Sequence, residues 1–142
     1  MPVKENMSCG PAQNGDHPRA DEVRVVAVDS RSDRRGVMCR LLEQTFRPAE
    51  IAEACSRQAA VALVDGCHPD LVVLEIQMPC QEGLNTITDL APMSPRPRIV
   101  VCSFQSDAVT IAAALERGAD AYLRKPASSA ELRTALLPGS TT

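Results

Sequence analysis

The stretch Pro69-Asp70-Leu71-Val72-Val73-Leu74-Glu75-Ile76-Gln77-Met78-Pro79 decides the fold. From Leu71 to Ile76 it is apolar at odd and even positions alike, interrupted by a single acid. A strand built from it buries both faces, so it needs helices above and below. That is the situation of a central strand in a parallel sheet. His68-Pro69-Asp70 turns the chain into the strand, and Met78-Pro79 ends it. Glu75 sits near the end of the run, where a carboxylate without a partner is costly to desolvate.

Upstream, Val23 to Val28 is a short β-branched run ending in Asp29. Ser30 or Ser32 can cap a following helix that carries Val37, Leu41 and Leu42 on one face, to about Thr45. Residues 49–55 alternate, as an edge strand does. A helix is expected from about Arg57 to Val64, stopped by Asp65-Gly66. Downstream, a shorter helix runs from about Glu82 to Leu90, and the run from Pro92 to Pro97 breaks the pattern. Arg98 to Cys102 reads as a fourth strand. Residues 107–117 read as a helix stopped by Gly118, and Ala119 to Leu123 as a fifth strand. A last helix spans about Ser129 to Leu137, with Ser128 or Ser129 as cap and Glu131 as its capping-box partner. Strand and helix thus alternate five times. This is an α/β class: a single five-stranded parallel sheet with helices on both faces, doubly wound in the flavodoxin-like (βα)5 manner. The organisation is a flexible tail over 1–22, one domain over 23–137 and a short tail over 138–142.

Composition narrows the function. Over 142 residues, hydrophobic residues make up 44% and charged residues 23%, which suits one globular core. Aromatics are 2%, with no Trp, so the base-stacking platforms of single-strand binders are missing. The net charge of −3 offers no basic face for nucleic acid or an anionic membrane. No apolar run reaches membrane-spanning length and no signal peptide is visible, so a cytoplasmic protein is expected. The six cysteines form no CxxC pair, and His17 and His68 are not spaced with them as zinc ligands. They read as reduced thiols serving as small apolar residues. Cys80 is the exception, since exposure beside the mouth described next would suit a redox role.

In a parallel α/β sheet, functional loops gather at the carboxyl ends of the strands. The residues there are Asp29, Glu75, Ser103 and Lys125. Two carboxylates, a hydroxyl and an ammonium form a candidate phosphoryl-transfer mouth. Carboxylates hold Mg²⁺ through hard oxygens, while the lysine and hydroxyl face phosphoryl oxygens. Lys125 is the expected partner of Glu75; at 4 Å and an effective dielectric near 20, such a pair attracts by about 4 kcal/mol before desolvation is subtracted. Arg31 is expected to place its guanidinium where a metal would otherwise sit, bridging Asp29 and Glu75.

These segments resemble the receiver domain of response regulators over residues 23–137. Pro69 to Pro79, followed by Gly83, resembles the segment around the family's phosphorylated aspartate. Ile99-Val100-Val101-Cys102-Ser103 resembles the strand with its signalling hydroxyl. Gly118-Ala119-Asp120-Ala121-Tyr122-Leu123-Arg124-Lys125-Pro126 resembles the strand with the switch aromatic, Tyr122, and the Lys-Pro pair. Three departures follow from the resemblance. The phosphoacceptor position holds Glu75, whose extra methylene carries the carboxylate toward the phosphoryl position. The acidic pair is reduced to Asp29-Ser30, so Mg²⁺ binding is expected to be weak or absent and no cofactor is expected. Phe104 replaces a small residue, and with Arg31 and Gln77 it lines the expected pocket.

The resemblance therefore implies an atypical single-domain pseudo-receiver, not an enzyme, with a degenerate phosphorylation site at Asp29, Ser30, Glu75, Ser103 and Lys125. Glu75 either imitates the phosphorylated state and holds the Ser103–Tyr122 switch on, or the domain is a fixed module. Its partners would be a protein or a second copy, met through helix 4, strand 5 and helix 5, where Val109, Ile111, Ala112 and Leu115 lie. Direct nucleic-acid and membrane contact is not expected. Two other classes remain. A sensor would hold a small anion between Arg31, Ser103 and Lys125. A small α/β enzyme would use the same mouth, but there is no glycine-rich phosphate loop after strand 1 and no Ser/His/Asp set.

Overall fold

The computed structural model describes residues 23–46 and 49–136; the expected tails over 1–22 and 138–142 lie outside the described residues. Leu71–Leu74 forms strand β3 with all four residues buried. On one side β3 pairs with β1 (Val23–Val28), and on the other with β4 (Arg98–Ser103). Strands β2 (Ala49–Ala54) and β5 (Ala121–Arg124) flank these in a parallel sheet of order β2-β1-β3-β4-β5. The doubly wound arrangement expected of the alternation is the one observed.

Among the described residues five helices cover the sheet: α1 (Ser32–Thr45), α2 (Arg57–Cys67), α3 (Glu82–Leu90), α4 (Ala108–Arg117) and α5 (Ser129–Leu136). A 3₁₀ turn, Pro79–Gln81, leads into α3. Alternate residues of each strand feed separate cores. Val26, Val28, Val72, Leu74 and Val101 pack with α2, α3 and α4, whereas Val25, Val73, Val100 and Cys102 pack with α1 and α5. Continuous apolar strands are thus consumed on both faces.

Several local expectations are corrected. Helix α1 starts after Arg31, and no side chain caps it, so neither Ser30 nor Ser32 serves. Its buried residues are Met38, Leu42 and Thr45, while Val37 is 58% exposed. Helix α2 passes through Gly66 to Cys67, and His68 closes it with a left-handed φ of 48°. Ser56 caps that helix by accepting from the Ala59 amide. The capping box on α5 forms as expected: Ser128 N donates to Glu131, and Glu131 N donates to Ser128 Oγ. Cys55, Cys80 and Cys102 are free thiols, but Cys67 is disulfide-bonded, against the expectation of reduced thiols throughout.

Two glycines give opposite tests of this packing. A Cβ on Gly83 would stand 2.5 Å from the Ile76 carbonyl oxygen and 2.8 Å from its Cα, both backbone atoms that cannot turn away. Gly66, inside α2, has nothing within 4 Å. Gly83→Ala should therefore cost about 1–3 kcal/mol through overpacking where the chain leaves β3, and Gly66→Ala should gain about 0.5–1 kcal/mol from helix propensity. Urea unfolding midpoints of the two variants measure both signs.

Candidate functional site

The sheet ladder continues one residue past the strand ends, and this places the site. The Asp29 amide donates to the Ala54 carbonyl at 3.1 Å, the Glu75 amide to Val28 at 3.0 Å and the Lys125 amide to Ser103 at 2.9 Å. Asp29, Glu75, Ser103 and Lys125 consequently meet at one edge, as the strand order required. Asp29, Glu75 and Ser103 are all 0% exposed.

Glu75 is held by three donors. Lys125 Nζ lies 2.8 Å from Oε1. The Gln77 amide donates to Oε2 at 2.9 Å, and the Ser103 hydroxyl donates to the same oxygen. The Lys125 side chain is itself only 14% exposed, so the pair is shielded from solvent. A carboxylate and an ammonium taken out of water are tolerable only when paired and hydrogen-bonded in this way.

Asp29 is held by a different cation from the one expected. The Arg34 guanidinium grips its carboxylate at two points, Nη2 to Oδ1 at 2.7 Å and Nε to Oδ2 at 2.9 Å. The same Nη2 donates to the Gln77 carbonyl at 3.0 Å. Arg31 instead turns outward, its guanidinium paired with exposed Asp33 at 2.8 Å; only its backbone amide reaches Asp29, at 3.0 Å. Arg35 Nη1 donates to the Asp29 carbonyl at 2.8 Å. The Asp29 carboxylate beside it raises the Arg34 pKa above the ordinary arginine value, Glu75 adding to the effect. Helix side chains point back toward the N-terminus. An arginine in the first turn of α1 is therefore aimed at the end of β1, and that rule would have found Arg34.

The remaining predicted residues fall around this centre. Gln77 contributes its backbone amide and carbonyl, while its side chain is exposed. Ser30, Arg31, Arg34 and Gln77 line an open cleft of about 620 Å³ with Gln105 and Thr110. Phe104 does not line that cleft. Its side is 64% exposed, and it lines a second cavity of about 540 Å³ between α1 and α5 with Lys125, whose Nζ sits 5.6 Å from the ring centroid. Tyr122 is buried, its hydroxyl donating to the Gln105 carbonyl, and burial raises its pKa. The Gln105 amide in turn donates to Ser103 Oγ at 3.1 Å. Ser103, Gln105 and Tyr122 are therefore linked in one chain of bonds to Glu75. Cys80 is an exposed free thiol whose φ is 59°.

A parallel α/β domain with carboxylates, a hydroxyl and a lysine at its strand ends is the arrangement that the resemblance to two-component receivers implies. The chain belongs to the response regulator receiver domain family, whose model matches residues 25–137. It is 31% identical over 119 residues to a protein-glutamate methylesterase/protein-glutamine glutaminase of Rhodospirillum rubrum, covering 82% of this chain and 30% of that protein. It is 36% identical over 86 residues to the nitrate/nitrite response regulator NarL of Escherichia coli, covering 61% of this chain and 40% of that one. The chain thus spans less than half the length of these relatives. Among solved structures, a Burkholderia pseudomallei response regulator with a phosphorylated aspartate, calcium and citrate superposes with a TM-score of 0.74 at 24% identity, covering 83% of this chain and 68% of that one. CheY of Borrelia burgdorferi, in complex with CheX, beryllofluoride and magnesium, gives a TM-score of 0.69 at 17% identity, covering 80% and 86% of the two chains.

The residues present do not fit a divalent cation. Both Asp29 oxygens and the Gln77 carbonyl already accept from Arg34. Both Glu75 oxygens are taken as well, and Ser30 brings no charge. Among the described residues no group of three His, Cys, Asp or Glu side chains is placed to hold a metal.

Two outcomes test this geometry. Lys125→Met should cost about 3–5 kcal/mol by stranding buried Glu75, and Glu75→Gln in the same chain should recover most of it; a double-mutant cycle by chemical unfolding reads both. The second concerns Cys102, whose thiol burial pushes up to about 11. The unfolded thiol ionises first as pH rises, so the folded state loses about 3 kcal/mol as pH climbs from the ordinary thiol range to that value. Cys102→Ala should lack this alkaline loss in stability curves measured against pH.

Proposed function

We propose that this chain is a pseudo-receiver: a receiver domain that signals by protein–protein contact and independently of aspartyl phosphorylation. The observation that carries this reading is the state of Glu75. Its two oxygens are buried and occupied by Lys125, Gln77 and Ser103. A phosphoryl donor would have to break the Lys125 pair and reach a carboxylate displaced by one methylene. Switching by a ligand requires a contact that differs between two states. Here Ser103 and Lys125, the groups that would meet a phosphoryl group, are already engaged by the chain's own carboxylate.

The same bonds favour a domain held in one state over one that toggles. Glu75 draws in Ser103, Ser103 accepts from Gln105, and Gln105 accepts from Tyr122. This chain runs from the mouth to β5 and α4, the face expected to meet a partner or a second copy. On α4, Ile111 and Leu115 pack against the core, leaving Val109, at 79% exposed, and Ala112 for contact. The alternative anion sensor has less support, because Ser103 and Lys125 face Glu75 and not the cleft that Arg31 lines.

The intact mass of the protein after incubation with acetyl phosphate and Mg²⁺ should be unchanged. A stable, Mg²⁺-dependent gain of one phosphoryl group would sink the reading.

A further inference from the structure

We infer that Arg34 is a resident cation: its guanidinium occupies a hard-oxygen site formed by Asp29 and the Gln77 carbonyl, next to Glu75, and keeps divalent metal out of it. The inference rests on the reading that this mouth has left phosphoryl chemistry, and it names the side chain that stands in the cation's place.

Three oxygens converge on one group. A single nitrogen, Arg34 Nη2, lies 2.7 Å from Asp29 Oδ1 and 3.0 Å from the Gln77 carbonyl oxygen. Nε of the same guanidinium lies 2.9 Å from Asp29 Oδ2. A carboxylate and a backbone carbonyl are the oxygen types that hard divalent cations collect. They come here from two different strand ends, so whatever sits between them ties the loop after β3 to the end of β1. Arg34 is the cation that sits there. Asp29 is fully buried, and no other cationic side chain reaches its carboxylate among the described residues; Arg35 binds its carbonyl instead. The charge of Glu75 acts on the same guanidinium.

The shape of the molecule supports the assignment. Arg34 lines both the cleft of about 620 Å³ at the mouth and the cavity of about 540 Å³ between α1 and α5. Its side chain, 22% exposed, borders both. Removing it would expose Asp29 and the Gln77 carbonyl to the cleft, open to solvent cations. A guanidinium is always charged, is fixed to the chain and has a fork that matches a carboxylate. It therefore holds the site whatever the surrounding metal concentration, whereas a metal would first have to shed water and displace it.

The test uses Mn²⁺ with the wild-type chain, R34Q and R34M. Binding is followed by loss of the free-ion paramagnetic resonance signal and by the shift in thermal unfolding. The wild type should show no saturable binding and no shift. Both variants should bind at least ~10-fold more tightly and unfold at higher temperature with Mn²⁺ present. Adding Asp29→Asn to R34Q should abolish the effect. R34M leaves Asp29 buried without a cation, so folding only on addition of Mn²⁺ counts as support; R34Q keeps a hydrogen-bond donor for the carboxylate. The inference is overturned if the wild type binds as tightly as the variants, if neither variant binds or is rescued, or if R34Q with Asp29→Asn still binds. Phosphorylation of the wild type would defeat the pseudo-receiver reading without altering this comparison, so the two failures are separable.

Discussion

Glu75 must find hydrogen-bond donors, because it is a carboxylate with no exposed surface at the end of the central strand. Much of the mouth is arranged around that demand. Lys125 comes from the end of β5, Ser103 from the end of β4 and the Gln77 amide from the turn after β3. Asp29, equally buried on the neighbouring strand, makes the same demand, and α1 meets it with Arg34. Two buried acids and two cations thus close on each other. Among the described residues, no buried side-chain nitrogen or oxygen lacks a partner. Removing one member of such a set strands a charge, so the cluster is a rigid unit more than a source of net stability.

That rigidity bears on signalling. A receiver that switches needs a site able to exist in two charge states. On the proposed reading the second state is unavailable, since the groups that would respond to a phosphoryl group or a metal are already engaged within the chain. The Ser103–Gln105–Tyr122 links connect the mouth to β5 and to the loop before α4. What the fold retains is its surface, with Val109 and Ala112 exposed on α4.

The fold was legible because its signals are redundant. The run from Leu71 to Ile76 is apolar on both faces, Gly118 ends α4 with a φ of 124°, and acids or hydroxyls follow the strands in order. The Glu75–Lys125 pair was legible for the same reason, as two opposite charges at the same carboxyl edge of the sheet, on strands that flank β4, are brought within reach of each other. Arg34 was not, because it lies inside α1 and not just after a strand, where a parallel α/β sheet gathers its functional residues. Arg31 was closer to Asp29 in sequence, but it lies before the first turn of α1 and points to solvent. Leu42 is buried as the spacing of Val37, Leu41 and Leu42 implies, but the buried stripe of α1 continues through Met38 and Thr45 and leaves Val37 exposed. Asp65-Gly66 has the composition of a helix stop, yet α2 runs through it and His68 adopts the left-handed turn.

The most direct measurement is an amide proton–nitrogen spectrum of the isotopically labelled chain, recorded with and without acetyl phosphate and Mg²⁺. The Gln77 and Gln105 amides, which donate to Glu75 and Ser103, report the mouth itself. The account predicts that both signals stay in place through the titration. Movement of either into a second saturable state would contradict it.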